Sequence, residues 1–534
     1  MNHGDRPASN AQGTRSPVLA MNGMVATSQP LASAAALRVL QDGGNAVDAA
    51  ISAAAVLNVV EPNSTGIGGD MFALVYMQHE GKPVGLNGSG WAGSKASPEF
   101  FKSRGLTTIP LFGMHSVTVP GAVAGWYKLH KRYGKLPMSR VLGPAIEYAE
   151  KGFPASDIIS CQWLRAQELL RSTPDATRDL LLDGHAPRQG DLVRFPRLSH
   201  TMRQIAEGGR DVFYKGDIAQ RIVEFSDKHD GMLTMGDFAD FDAQWIEPVS
   251  TTYHGYDVYE LGAQTQGITA IEMLNIVEGF DLKSLGHNSV EYLHLLVEAK
   301  KLAFADRDAY IADPDKARVP AGRLISKEYA AERRKLISRT QAMPSPRPGL
   351  MEIGDTVYLT VVDKDRNAVS FINSLFESFG SGLVAGDTGI VLQNRGALFT
   401  LDTEHPNVVA SRKRPFHTLI PGMVLKNSKP FFSFGVMGGD NQPQGHVQAL
   451  LNLIDFGMDA QQAGEAPRFR HAADEVLLES AFGLSIRSGL TELGHNVASA
   501  VDAWGGYQGI LIDPRTGVLM GGSDPRKDGL AMGW

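Results

Sequence analysis

One cysteine, Cys161, stands in 534 residues, so the chain can form neither an internal disulfide nor a thiolate metal cluster. It also lacks any run of about 18 apolar residues, which removes a membrane-spanning helix of ordinary length from the reading. Basic stripes are missing too. The densest basic stretch, Ser411-Arg412-Lys413-Arg414-Pro415, carries three charges in a chain of net charge −7, so a nucleic-acid partner has no electrostatic footprint. The 15 histidines include no His-x-x-x-His pair in an acidic setting, and neither a metal nor a cofactor is expected. The opening Met1-Asn2-His3-Gly4-Asp5-Arg6-Pro7 has no apolar core of the secretory kind, and a cytoplasmic enzyme-sized protein is the expectation.

Glycine is the residue in excess, with 58 copies gathered in short turns rather than a repeat. Residues 1–17 read as a loose polar tail. From Pro30 apolar residues recur at helical steps until Gly43-Gly44, and a second, almost wholly apolar helix runs from Val47 to about Val60. Such a helix belongs in a core. Gly66-Ile67-Gly68-Gly69-Asp70 then precedes a strand, Met71 to Tyr76, which is the wrong context for a phosphate loop and suits tight packing instead. The stretch 120–330 reads as mainly helical, most clearly from Ser289 to Ala312, where Tyr292, Leu295, Leu296, Ala299, Leu302 and Ala303 share a face.

Composition changes at the proline-rich segment Gln341-Ala342-Met343-Pro344-Ser345-Pro346-Arg347-Pro348-Gly349, which reads either as a linker or as the end of a piece released by cleavage. A strand pattern follows: Val357 to Val362, a polar turn, then Ala368 to Ile372, a hairpin. Further strands are expected at Gly389 to Leu392, Gly422 to Leu425 and Phe431 to Val436, with a helix from Gly445 to Phe456. A helix-rich first part and a strand-rich last part predict an α/β fold in which helices cover sheets.

The segment Gly354-Asp355-Thr356-Val357-Tyr358-Leu359-Thr360-Val361-Val362-Asp363 resembles the start of the small subunit of the γ-glutamyltranspeptidase family. Ser378-Phe379-Gly380-Ser381-Gly382, Ala385-Gly386-Asp387-Thr388-Gly389-Ile390, Arg414-Pro415, Gly438-Gly439 and Ala466-Pro467-Arg468-Phe469 continue the resemblance. Upstream, Gly43 to Ala50, Gly66 to Gly69 and Val119 to Gly125 extend it over nearly the whole chain. The resemblance implies an N-terminal-nucleophile hydrolase with a four-layer αββα sandwich. It implies cleavage between Asp355 and Thr356, giving a large subunit 1–355 and a small subunit 356–534 that stay together as a heterodimer, with pairing of heterodimers left open. Chemistry supports the cut. A threonine hydroxyl is a poor nucleophile until a base takes its proton. A free α-amine, with a reference pKa of about 7.7–8.0, can take it, whereas an amide nitrogen cannot.

The same resemblance gives Ser374 the place of a second hydroxyl residue that bonds the nucleophile, and gives Gly438 and Gly439 the backbone N–H groups that face the oxyanion. Where the sequence departs from the family, it departs at the grip on a glutamate head group. Asn87 stands where an arginine is expected, Phe376 replaces an asparagine, Arg395 and Leu398 replace a glutamine and an aspartate, and His417-Thr418 replaces a pair of serines. Each lost ionic hydrogen bond removes roughly 1.5–3 kcal/mol where buried. Arg395, His417, Thr418, Asn87 and Phe376 are therefore the expected pocket, and a forked guanidinium suits a small carboxylate. The chain is most similar to the family's oxamate amidohydrolase branch of purine breakdown. Hydrolysis of a small acidic amide follows as the expected activity, with a γ-glutamyl hydrolase or transpeptidase, a glutaryl-type acylase, and a non-enzymatic member that never matures as alternatives.

Overall fold

The computed structural model describes residues 15–262, 264–344, 355–500 and 504–534, and for Asp355 the backbone alone. Most of the expected tail, residues 1–14, and part of the proline-rich segment, 345–350, lie outside the described residues. What borders them is tied down. Arg15 donates to the carbonyls of Ser523 and Gly529, at 2.7 and 3.1 Å, and the backbone of Met343 donates to Glu298 at 2.8 Å.

Two seven-stranded antiparallel sheets stack on each other. One runs Val18–Ala20, Leu519–Ser523, Gly506–Ile512, Lys429–Met437, Gly422–Lys426, Tyr256–Glu260, Val249–Tyr253. The other runs Leu530–Gly533, Met24–Thr27, Asp355–Val362, Ala368–Phe376, Asp70–Tyr76, Pro83–Gly88, Gln244–Ile246. The stretches before and after Asp355 each supply seven of these strands, so neither could form the sandwich alone.

Side-chain alternation sorts the layers. On the strand Asp355–Val362, Val357, Leu359 and Val361 face an outer layer that includes the helices Pro30–Gln41, Ala46–Val60 and Met138–Lys151. Tyr358 and Val362 point the other way, into the space between the sheets, with Phe72, Leu74, Ile372, Met423 and Ile510. Helices Gly267–Val277, Val290–Tyr310 and Asn441–Ile454 cover the far face of the sheet that contains Lys429–Met437, against Phe432, Phe434 and Val436. The result is the αββα sandwich.

The helix Ala46–Val60 is buried at all fifteen positions. Its start is fixed by a capping box between Asn45 and Asp48, and Asp363 accepts from the backbone of Ala46 at 3.0 Å. Burial of residues such as Val56 or Leu57 stabilises the fold by about 1.5–3 kcal/mol each. Within the mainly helical stretch 120–330 the short strands Phe153–Pro154 and Leu192–Val193 pair with each other, and three more strands join the two large sheets. Gln244–Ile246 and Val249–Tyr253 are edge strands and Tyr256–Glu260 pairs between Val249–Tyr253 and Gly422–Lys426; all three are short and half polar, so alternation there is hard to tell from loop. The expected strand at Gly389 to Leu392 makes only isolated bridges, to Gly68 and Val384, because positive φ at Gly386 and Gly389 turns the chain back on itself. Among the described residues no helix is long and apolar enough to cross a membrane.

Candidate active site

Thr356 sits at a break in the ladder between the strands Asp355–Val362 and Ala368–Phe376. Asp355 pairs with Phe376 and Val357 with Asn373, so Ser374 and Leu375 together oppose Thr356 alone. Such a bulge re-aims side chains and recurs beside reactive centres. Thr356 shares the inter-sheet face with Tyr358 and Thr360. Across the gap Thr360 Oγ1 meets Ser433 Oγ at 2.6 Å, and the ring of Tyr358 lies over Gly435.

Ser374 Oγ is the hub. It accepts the Thr356 hydroxyl at 3.2 Å, the Phe376 backbone N–H at 2.7 Å and Arg395 Nη2 at 3.1 Å. Arg395 Nη1 donates to Thr418 Oγ1 at 2.8 Å, and the guanidinium lies over the Phe376 ring, 4.5 Å from its centroid. Thr356 is 2% exposed and Arg395 fully buried, which discards a surface role for the arginine. Phe376 holds φ at +86°, a conformation that costs a bulky residue of order 1–3 kcal/mol. The structure thus brings Thr356, Ser374, Phe376, Arg395 and Thr418 together.

The charge of Arg395 has a counterpart. Asp70, which opens the strand Asp70–Tyr76, accepts from the Gly90 N–H and Gln393 Nε2, both at 2.9 Å, and from His417 Nε2 at 3.1 Å. Burial pushes the Asp70 carboxyl up to about 6, while Arg395 and its hydrogen bonds pull the other way. Burial, then Arg395, hold the His417 imidazole well below its usual range, so a neutral imidazole donates to Asp70 and the pair is not an ion pair. Leu419 N–H reaches His417 Nδ1 at 3.3 Å, so Nδ1 accepts and the proton resides on Nε2.

For two of the expected pocket residues, His417 and Asn87, the polar atoms are bonded within the protein itself. Both ring nitrogens of His417 are engaged, and its ring packs edge-on against Phe72. The Asn87 amide donates to Gln264 Oε1 at 2.8 Å and accepts from the Ser89 N–H at 2.9 Å, while the Gln264 carbonyl accepts the His417 N–H. Asn87 therefore braces the segment behind His417.

Gly438 and Gly439 end the strand Lys429–Met437 and open the helix Asn441–Ile454, with φ of +119° and +56°. A Cβ at Gly438 would also lie 3.0 Å from Gly505 Cα. Two turns of backbone N–H at a helix start favour developing negative charge. At Gly69 a Cβ would lie 2.3 Å from the Ser374 carbonyl, so the glycine run does allow the close approach read from it.

Among the described residues His294, Glu298 and His495 bring ligand-type atoms within 4.8 Å of one another. They do not fit a metal. Lys301 Nζ and the Met343 N–H each donate to Glu298 at 2.8 Å, the two imidazoles bond each other at 2.7 Å, and His294 Nε2 bonds the Ser338 carbonyl.

Sequence reasoning passed over Asp70, Gln264, Gln266 and Gln393. Asp70 carried a usable signal, an acidic residue opening an otherwise apolar strand. The glutamines carried none, since their partners, side chains and backbone atoms alike, lie far away in the chain.

Comparison with known proteins gives the family. The Gamma-glutamyltranspeptidase family model matches residues 32–534. The chain is 41% identical to the glutathione hydrolase-like YwrD proenzyme of Bacillus subtilis, over 97% of this chain and 99% of that protein. It is 36% identical to the oxamate amidohydrolase proenzyme of Klebsiella pneumoniae, over 96% and 98%. Its structure superposes on cephalosporin acylase from Bacillus halodurans with a TM-score of 0.93 and 44% identity, covering 99% of both chains. The chain belongs to the γ-glutamyltranspeptidase family and is an amide-cleaving enzyme of the N-terminal-nucleophile type.

Proposed function

We propose that the chain is cut between Asp355 and Thr356, and that the freed threonine hydrolyses the amide of a small acidic compound, with oxamate as the leading substrate. Residues 1–355 and 356–534 then stay interleaved, as their equal share of both sheets requires. The Thr356 hydroxyl attacks the amide carbon while its own α-amine takes the proton. The tetrahedral oxyanion is met by the Gly438 and Gly439 N–H groups. The C–N bond breaks, the proton passes to the leaving nitrogen as ammonia departs, and water hydrolyses the Thr356 ester to release the second carboxylate. Ser374 orients the attacking hydroxyl. Arg395 and Thr418 hold the substrate's carboxylate, and Phe376 closes the pocket; Asn87 and His417 act from behind.

One observation carries the reading. Arg395 donates to the same Ser374 oxygen that accepts the Thr356 hydroxyl, so the cation stands within two hydrogen-bond lengths, at most about 6 Å, of the nucleophile. A carboxylate held there is close to the attacked carbon, which favours a short acidic amide. The higher identity to the glutathione hydrolase-like protein supports a second reading, a γ-glutamyl hydrolase. Ammonia release from oxamate, set against nitroanilide release from γ-glutamyl-p-nitroanilide and acid release from glutaryl amides, separates them. Turnover of the γ-glutamyl compound alone would overturn the oxamate assignment.

A further inference from the structure

Gln266 is fully buried and precedes the helix Gly267–Val277. Its Nε2 donates to two carbonyls at once, Thr418 O at 2.7 Å and Gly439 O at 2.8 Å. Its Oε1 accepts Arg307 Nη1 at 3.2 Å, and the same nitrogen donates to Asp440 at 2.7 Å. Arginine can only donate, and both carbonyls can only accept, so the amide has one permitted orientation. Arg307 is itself fixed, 6% exposed and lying over the Phe304 ring at 4.2 Å.

We propose that Gln266 is a positioning residue. It ties the Gly438–Gly439 turn to Thr418, and so to Arg395 and Ser374, with Arg307 aiming its amide. The inference rests on the function proposed above. Both charge-handling parts of the site, the oxyanion turn and the carboxylate anchor, hang from the two hydrogens of one amide group. Gly439 needs such a fixture, because a glycine with φ of +56° has no side chain to lock its peptide planes.

The test uses the processed full-length enzyme and the amide that the wild type turns over fastest in the panel above. Gln266→Met removes both donors at nearly constant volume. Misplacing a group by about 1 Å can cost about 100-fold, so kcat should fall by roughly tenfold to 100-fold, with KM within about twofold. Acylation and deacylation, measured by rapid mixing, should slow by one common factor, since both pass through an oxyanion. Gln266→Glu keeps the Arg307 contact but cannot donate when ionised, so its deficit should shrink as pH is lowered and the acid regains a proton. It also serves if the methionine variant folds poorly. An unchanged kcat in folded variants overturns the proposal, as does a rise in KM alone or a loss of thermal stability with normal turnover. Activity surviving in Thr356→Ala would instead sink the function on which it rests.

Discussion

The Thr356 hydroxyl donates to Ser374 Oγ across 3.2 Å, on an oxygen that also takes Arg395 and the Phe376 N–H. One serine therefore aligns the nucleophile and anchors the cation. Ser374→Ala leaves three buried donors short of an acceptor, and a lost buried hydrogen bond of about 1–3 kcal/mol corresponds to roughly fivefold to 150-fold in rate. Both self-cleavage, followed on denaturing gels, and kcat/KM should fall within that range. Cleavage at the wild-type rate would show that Ser374 does not orient the hydroxyl.

Thr356 serves cleavage and turnover with one oxygen. Thr356→Ala should remain a single chain of 57.6 kDa on long incubation and show no amidase activity. Thr356→Ser keeps the hydroxyl and should still split, more slowly, because without the γ-methyl the side chain is less confined in its staggered wells. Mass spectrometry of the new amino terminus locates the cut. A cut elsewhere, or splitting of the alanine variant, would remove the self-processing scheme.

Periodicity made the central hairpin and the buried helices legible because each repeats its pattern over many residues. Val357 to Val362 alternates between two cores, and Ala46–Val60 is apolar on every side. The edge strands Gln244–Ile246 and Val249–Tyr253 were not legible, being short and exposed on alternate residues. In the site, Thr356, Ser374 and Arg395 could be placed by motif, whereas Asp70 offered only an acid at the head of an apolar strand and Gln266 nothing. Their roles come from contacts made across 347 and 173 positions of chain, to His417 and Gly439, which no local pattern records.

Asp70 gives the site a measurable pH signature. Burial raises its folded pKa from 3.8 to about 6, against the pull of Arg395. The fold therefore binds the protonated acid more tightly than the unfolded chain does. That contribution is fully present below pH 3.8 and is lost as pH rises through about 6, roughly 3 kcal/mol in all. In Asp70→Asn nothing titrates there, so the wild-type advantage in unfolding free energy should shrink by about that amount between roughly pH 4 and pH 7. Urea unfolding at several pH values measures it. His417, whose pKa is lowered, contributes in the opposite sense, with stability lost as pH falls, so the comparison is repeated in a His417→Gln background. A difference that stays flat with pH would contradict the assignment.

Phe376 combines strain and specificity. Its φ of +86° is unfavourable for an aromatic residue and far better tolerated by asparagine, which enters the left-handed region readily. Its ring nevertheless covers Arg395. Phe376→Asn should thus relieve the backbone, so that thermal stability holds despite the lost ring contact. It should also open space beside Arg395 and supply an amide able to meet an amino-acid head group. One added buried hydrogen bond is worth about 1 kcal/mol, so the ratio of kcat/KM for γ-glutamyl-p-nitroanilide over oxamate should rise by about fivefold or more. Both substrates must be assayed on the same processed preparation, since a fall in both would report damage to the Ser374 hub. A ratio unchanged or lowered would mean that Phe376 does not set the length of substrate the enzyme accepts.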